Sequence, residues 1–342
     1  MQSLRRISAL LTLAVPLVFL LSCQSDSDSG SSDATPDIVF SSSRTGYPNI
    51  YLTDSGGGAS LQLTDTNLSD GEPVWSNDGE RIAYSGVFGA DNIDIFVMDA
   101  DGSNRVNLTA EILRTYSQAP CWSPSGDRIA FSSTRGFSGF GVLPQEIWAV
   151  NLADGEWTQL TEGPYEGDDY LNTFPSWSPL DGDGRIALSS CACRGNNCQR
   201  CKFSSNTAEY QIYTIHEGND PTTKPSLLFP SPGKNFQPAW SPDGAKIAFT
   251  STRADEASDN FDIWVIDVPP SGEASNPVRL TDHEGIDDSP AWSGDGQHIL
   301  FSSNRQGHYE IYRIGVDGEG LERITYSQNG TDSKDPDGRM AP

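Results

Sequence analysis

Past residue 36 the chain runs in short apolar stretches whose residues alternate with Ser, Thr, Asp and Arg. Arg81–Gly86, Arg128–Arg135, Arg185–Ser190, Lys246–Arg253 and His298–Arg305 are near-copies of one another. A period of two with β-branched and aromatic residues predicts strands. The Asp-Gly and Pro-Asp-Gly clusters between them predict tight turns. No long stretch carries the period of an amphipathic helix.

Two further landmarks keep step with these strands. Before each lies Pro-x-Trp-Ser, at Pro73–Trp75, Pro120–Trp122, Pro175–Trp177, Pro238–Trp240 and Pro290–Trp292. After each lies an Ile-aromatic pair: Ile95-Phe96, Ile147-Trp148, Ile212-Tyr213, Ile263-Trp264 and Ile311-Tyr312, with Ile50-Tyr51 ahead of the first Trp turn. A Leu-Thr pair closes most units, at Leu63-Thr64, Leu108-Thr109, Leu160-Thr161 and Leu280-Thr281. Four short strands in each unit of about fifty residues is the signature of a propeller blade. Six Ile-aromatic pairs against five Trp turns leave one blade split between the two ends of the chain. Asp37–Arg44 reads as a second strand without its first, and Lys334–Arg339 as a first strand's turn without its second. The fold class that follows is all-β: a six-bladed β-propeller, four antiparallel strands per blade, the sixth closed by N- and C-terminal strands. Such closure removes exposed edges.

These motifs resemble the PD40 repeat of TolB-like six-bladed propellers, which runs Pro-x-Trp-Ser-Pro-Asp-Gly and then Ile-Ala-Phe-x-Ser-x-Arg. The resemblance spans about Asp37–Pro342. It departs at the last inner strand, which places Lys334 where Trp is expected and Asp332 where Pro is expected.

The N-terminus reads as an address. Met1–Arg6 is basic, and Ile7–Leu21 is almost wholly apolar but short for a membrane span. Leu20-Leu21-Ser22-Cys23 resembles the lipobox of bacterial lipoproteins, which implies a signal peptide over residues 1–22 and lipid attachment at Cys23. Residues 23–36 are rich in Ser, Asp and Gly and read as a flexible tether. Residues 37–342 then form a single propeller domain. Gln24 after the Cys favours the outer membrane by resemblance to lipoprotein sorting. The expected location is the bacterial cell envelope, lipid-anchored, facing the periplasm or the cell surface.

Charge narrows the partners. Asp and Glu number 47 against 22 Lys and Arg, for a formal charge of −25. Nucleic acid is disfavoured, because phosphate binding needs clustered Lys and Arg. The membrane is then met only through the N-terminal lipid. The expected partner is an envelope protein or peptide, engaged by a monomer.

On a propeller of this connectivity, Ser-Pro-Asp-Gly and Asp-x-Asp-Gly turns share one face. The long second-to-third and fourth-to-first connections share the other and would carry binding. Three residues before each motif proline stand Asp70, Ser117, Asn172, Asn235 and Asp287, with Asn329 in the degenerate sixth unit. These six oxygen-bearing residues are expected to ring the channel mouth, as a site for a peptide or sugar group or for Ca²⁺, unless they only hold water and cap turns. The recurrent Arg44, Arg135, Arg253 and Arg305 follow the repeat and read as blade structure.

Cys191, Cys193, Cys198 and Cys201 crowd one long loop. In an exported protein they are expected to form disulfides rather than a zinc or iron site, with the pairing open. Cys121 reads as a buried apolar residue. No Gly-x-Ser-x-Gly, Walker, His-Glu-x-x-His or dinucleotide motif occurs. No catalytic residue is assigned and no cofactor is required. A non-catalytic binding module is therefore expected. The alternative is an envelope lyase or hydrolase on glycans, using His283 and His308.

Overall fold

The computed structural model describes residues 37–342 apart from 90–91, 111–114, 136–144, 164–168, 194–209, 255–259, 271–273, 328–329 and 341–342. Cys23, the segments around it and Asn329 lie outside the described residues.

Among the described residues, twenty-four strands form six antiparallel sheets of four. Blade one is β4 (Asp70–Trp75), β5 (Arg81–Phe88), β6 (Asn92–Asp99) and β7 (Val106–Asn107). Blade two is β8 (Ser117–Trp122), β9 (Arg128–Ser133), β10 (Glu146–Asn151) and β11 (Trp157–Gln159). Blade three is β12 (Asp169–Trp177), β13 (Arg185–Cys193), β14 (Gln211–His216) and β15 (Ser226–Leu227). Blade four is β16 (Asn235–Trp240), β17 (Lys246–Ser251), β18 (Asp262–Asp267) and β19 (Ser275–Arg279). Blade five is β20 (Asp287–Trp292), β21 (His298–Ser303), β22 (Glu310–Gly315) and β23 (Glu322–Arg323). The sixth orders β24 (Ser333–Gly338) beside β1 (Ile38–Ser42), then β2 (Asn49–Thr53) and β3 (Leu61–Gln62). The two ends of the chain thus share one sheet, as the split repeat predicts.

The core sits between blades, not in one central mass. Among the described residues an apolar cluster joins each pair of neighbouring blades: Ile50, Trp75 and Tyr84 across the sixth and first, Ala83, Trp122 and Phe131 across the next pair, and so on round the ring, with a second, smaller one between blades three and four. Alternation explains this. Each sheet buries both faces against neighbours, so most Ile, Phe and Tyr on the second and third strands are buried. The motif Trp supplies the largest side chain at five of the six junctions, and the sixth strand has Gly338 in its place. A Cβ on Gly338 would lie 2.4 Å from the Trp292 carbonyl oxygen, so no larger residue fits.

Arginines clamp the same junctions. Arg81 stacks on Trp122, Arg128 on Trp177 and Arg185 on Trp240, each reaching the next blade with 4.6–4.9 Å to the ring centroid. The second recurrent set works within blades: Arg44 covers Tyr51, Arg135 covers Trp148 and Trp157, Arg253 covers Trp264, and Arg305 covers Tyr312. Each contact contributes about 0.5–2 kcal/mol. The Thr of the Leu-Thr pairs, and of Ile324-Thr325 in blade five, has a polar task as well. Thr64, Thr109, Thr161 and Thr325 each accept the Ile N–H of the third strand and donate to the residue before that Ile: Asn49, Asp94, Glu146 or Glu310.

Candidate functional site: the axial channel

The innermost strands share one irregularity. Counting the longer β12 from Asn172, between the second and fifth residues of β4, β8, β12, β16, β20 and β24 the register shifts, so two residues face one on the partner strand. The third residue is left-handed in every case: Glu72, Ala119, Phe174, Gln237, Ser289 and Asp335 have φ of 51–54°. The fourth is the motif proline, which needs no ladder N–H at a bulge. Each left-handed non-glycine residue costs about 1–3 kcal/mol. The bulge N–H groups of Ala119, Phe174, Gln237 and Asp335 donate to Ser85, Ser132, Ser189 and Ser302 of the preceding blade, which offsets part of that cost. This accounts for the first Ser of the repeated Ser-Ser pair.

The bulges line an axial cavity of about 240 Å³ with all six third residues. Its wall continues through the six prolines and the Trp residues to Asn77, Pro179 and Pro242 in the first-to-second turns. The cavity therefore lies toward the tight-turn face. This is opposite the face that loop length alone selects.

The expected polar ring is placed differently. Asp70, Ser117, Asn235 and Asp287 do begin the inner strands and Asn172 is the fourth residue of β12, but all five are 0–4% exposed and bonded within and between the blades. Asp287 takes both its hydrogen bonds from Arg305, at 3.0 and 2.8 Å. Asn172 donates to Glu146, Asn235 accepts from Ser251, Ser117 meets Ser133, and Thr66 donates to Asp70. Their N–H groups knit blades together: those of Asp70, Asn172, Asn235 and Asp287 donate to Pro48, Gln145, Tyr210 and Phe261 of the preceding blade. These residues are joints, not lining. Among the described residues no group of three or more His, Cys, Asp or Glu is placed to hold a metal ion.

The sixth ring position also moves. Ser333 pairs with Ser42 as Ser117 pairs with Ser133, and its N–H donates to Tyr309. Asn329 precedes that strand by four residues, outside the described residues. Pro336 is the retained motif proline, and Gly338 holds the Trp position. Aligning on the missing Trp misleads, whereas aligning on Pro336 finds the strand.

Cys191 is buried at the end of the ladder and is disulfide-bonded. The side chains of Cys193, Cys198 and Cys201 lie outside the described residues. Cys121, on β8, is half-buried and lines the cavity, and burial pushes its thiol up to about 12. His283 and His308 each have a different partner. His283 Nδ1 accepts the Gly285 N–H, and His308 Nε2 lies 2.9 Å from the buried Glu310 carboxylate.

Electrostatics mark the channel. Burial raises the Glu72 carboxyl, and Asp335 nearby adds to the shift. Burial likewise pushes Asp337, whose Oδ2 accepts the Trp75 N–H at 2.7 Å, up to about 7. Both line the cavity. Asp288, one residue above the third position on β20, is pushed to about 7 by burial, against the pull of Lys334.

Comparison with known proteins agrees with this geometry. The chain matches the PD40 family, described as the TolB beta propeller domain, over residues 30–179 and 201–341. An uncharacterized protein of Agrobacterium fabrum is 42% identical over 91 residues, 27% of this chain and 28% of that protein. The Tol-Pal system protein TolB of Bordetella pertussis is 34% identical over 143 residues, 31% of this chain and 33% of that protein. The chain spans about a third or less of the length of these curated relatives. The crystal structure of TolB from Acinetobacter baumannii shares the fold, with a TM-score of 0.64 at 18% identity over 90% of this chain and 67% of that one. The family match covers most of the sequence and every blade, and the chain belongs to the TolB beta propeller domain (PD40) family.

Proposed function

We propose that this protein is a cell-envelope binding module, anchored by lipid at Cys23 and tethered by residues 23–36, that holds a segment of another envelope protein in its axial channel without catalysing a reaction. One observation carries the reading: six identical backbone bulges present six different side chains to a single cavity. A rigid frame with a variable lining is how a scaffold encodes recognition. The family match is consistent with this reading, and the Tol-Pal system protein among the relatives favours the envelope. The loop-face site expected from loop length has less support, because the ring residues that would serve it are occupied within the blades. The glycan-cleaving alternative also has less support, because His283 and His308 are each bound elsewhere.

A photo-crosslinking residue placed at Ala119 in the channel, and separately at Tyr47 on the opposite face, tests this in the native host. An envelope protein captured from Ala119 and not from Tyr47 is the expected result. Capture only from Tyr47, or turnover of a glycan substrate by the purified chain, would displace the reading.

A further inference from the structure

We propose that the axial cavity takes a lysine or arginine side chain presented by the partner's segment; this rests on the reading of the cavity as a protein-binding site. The six third positions share one backbone conformation but divide by chemistry. Going round the ring, Gln237, Ser289, Asp335 and Glu72 are consecutive and polar, while Ala119 and Phe174 are consecutive and apolar. On the polar arc Gln237 Nε2 donates to Ser289 Oγ at 3.1 Å, and Ser289 Oγ donates to Asp335 Oδ1 at 3.0 Å. Glu72 Oε2 accepts from Ser85 Oγ and from the Ala119 N–H, both at 2.7 Å. Its other oxygen accepts no hydrogen bond from the described residues.

Three carboxyl groups line this cavity, those of Glu72, Asp335 and Asp337, and among the described residues no Lys, Arg or His lines it. Lys334, the cation beside them in sequence, places its ammonium over the Tyr309 ring. Grouped carboxyl groups, half-buried and without a countercharge in the cavity, repel one another as they ionise. A bound ammonium or guanidinium relieves that repulsion and supplies the donor that the Glu72 oxygen lacks. The walls suit the rest of such a side chain, since its methylene stem would lie along proline rings and the faces of Ala119 and Phe174. A compact metal ion fits less well, because the carboxylates are not placed as a ligand group among the described residues.

The rim agrees with the floor. Asp127, Asp243 and Asp295 stand in the first-to-second turns of the same face, each held below the usual carboxylate range by a hydrogen bond from a neighbouring Ser. Asp78 and Asp183 occupy the equivalent turns and are also lowered, their hydrogen bonds outweighing partial burial. Acids thus recur in the first-to-second turn of all five Trp-bearing blades at the approach to the cavity, with Asp183 paired to Arg185 and Asp127 near Arg128.

The test uses the full chain to select binders from short random displayed peptides. Enrichment of peptides carrying Lys or Arg is expected. Binding should weaken by about tenfold or more in the Glu72→Gln/Asp335→Asn variant. Replacing the basic residue of the selected peptide by norleucine should weaken it equally. The amides keep acceptor oxygens for Ser85, Ala119 and Ser289, so the fold is expected to stand. If the variant does not fold, the norleucine peptide on the unaltered chain still decides. Ala119→Phe should block binding, and Phe174 shows that the same bulge accommodates that side chain. Peptides that bind the double variant or carry norleucine as tightly, yet are blocked by Ala119→Phe, would overturn the cation and leave the channel. Peptides indifferent to all three changes would overturn the channel reading itself.

Discussion

At Asp287 the two carboxylate oxygens meet one guanidinium, and solvent reaches 0% of the Asp side chain and 9% of Arg305. A pair this dry is worth little as a source of stability, but breaking it strands a charge, at a cost of about 3–5 kcal/mol. Asp287→Ala should therefore lower the urea-unfolding free energy by about 3 kcal/mol and leave binding of a channel peptide unchanged below the transition. Weakened peptide binding with normal stability would restore Asp287 to the site. The oxygen-bearing character of its position was legible in sequence, because the residue recurs at a fixed offset from a proline. Its orientation was not. Chain spacing cannot tell the first residue of a strand from the third, and only the bulge turns the third toward the axis. Glu72 and Asp335 were legible only as acidic residues, since a left-handed φ at a non-glycine position leaves no mark in composition.

The strands themselves were legible because each blade repeats the same order of turn, period-two strand and Ile-aromatic pair. The closing strand was harder to place. β24 lacks the Trp, and its register is fixed by contacts hundreds of residues away, such as Ser333 against Ser42 and Arg339 N–H to Asp37. The tail continues past the strand, where Met340 bridges to Gly294 so closely that a Cβ there would lie 2.0 Å from the Arg339 carbonyl oxygen. Deleting Ser333–Pro342 should open the ring, giving a melting transition that is broad and at least ten or so degrees lower. The excised segment added as a synthetic peptide should restore part of the loss. An unchanged melting curve would mean that the strand does not close the molecule. The same strand carries a pH dependence. Asp337 has its folded pKa raised to about 7 by burial, above the unfolded value. Its protonated form is therefore favoured in the folded state, and the stability this contributes is present near pH 4 and lost as pH rises toward 7 and beyond. Asp337→Asn should raise the melting temperature by several degrees at pH 8 and by little at pH 4, because the amide oxygen still accepts the Trp75 N–H. An equal effect at both pH values would show that the carboxyl is not held neutral.

Across the whole molecule, turn chemistry becomes an electric field. The Ser-x-Asp arrangement recurs as Ser76 to Asp78, Ser125 to Asp127, Ser241 to Asp243 and Ser293 to Asp295, each a local staple with one hydrogen bond of 2.5–2.6 Å. Read singly, these acids are punctuation. The propeller gathers all of them onto one face, around the axial cavity, in a chain of formal charge −25. Sequence alone shows the charge but not the gathering, which follows from the first-to-second turns of every blade pointing the same way. Fields of this kind act mainly on encounter, because charges on a rim are screened once the partner is seated. A Lys-bearing channel peptide should therefore associate about tenfold more slowly as NaCl rises from roughly 20 to 300 mM, where the screening length falls below about 10 Å. Its dissociation rate should change much less, since the contacts inside the cavity lie beyond the reach of mobile ions. Replacing Asp127, Asp243 and Asp295 together by Asn should remove much of the salt dependence of association. Stopped-flow fluorescence across the salt series separates the two rates. An association rate flat in salt would mean that the acidic face serves solubility alone, and that the cavity finds its partner without steering.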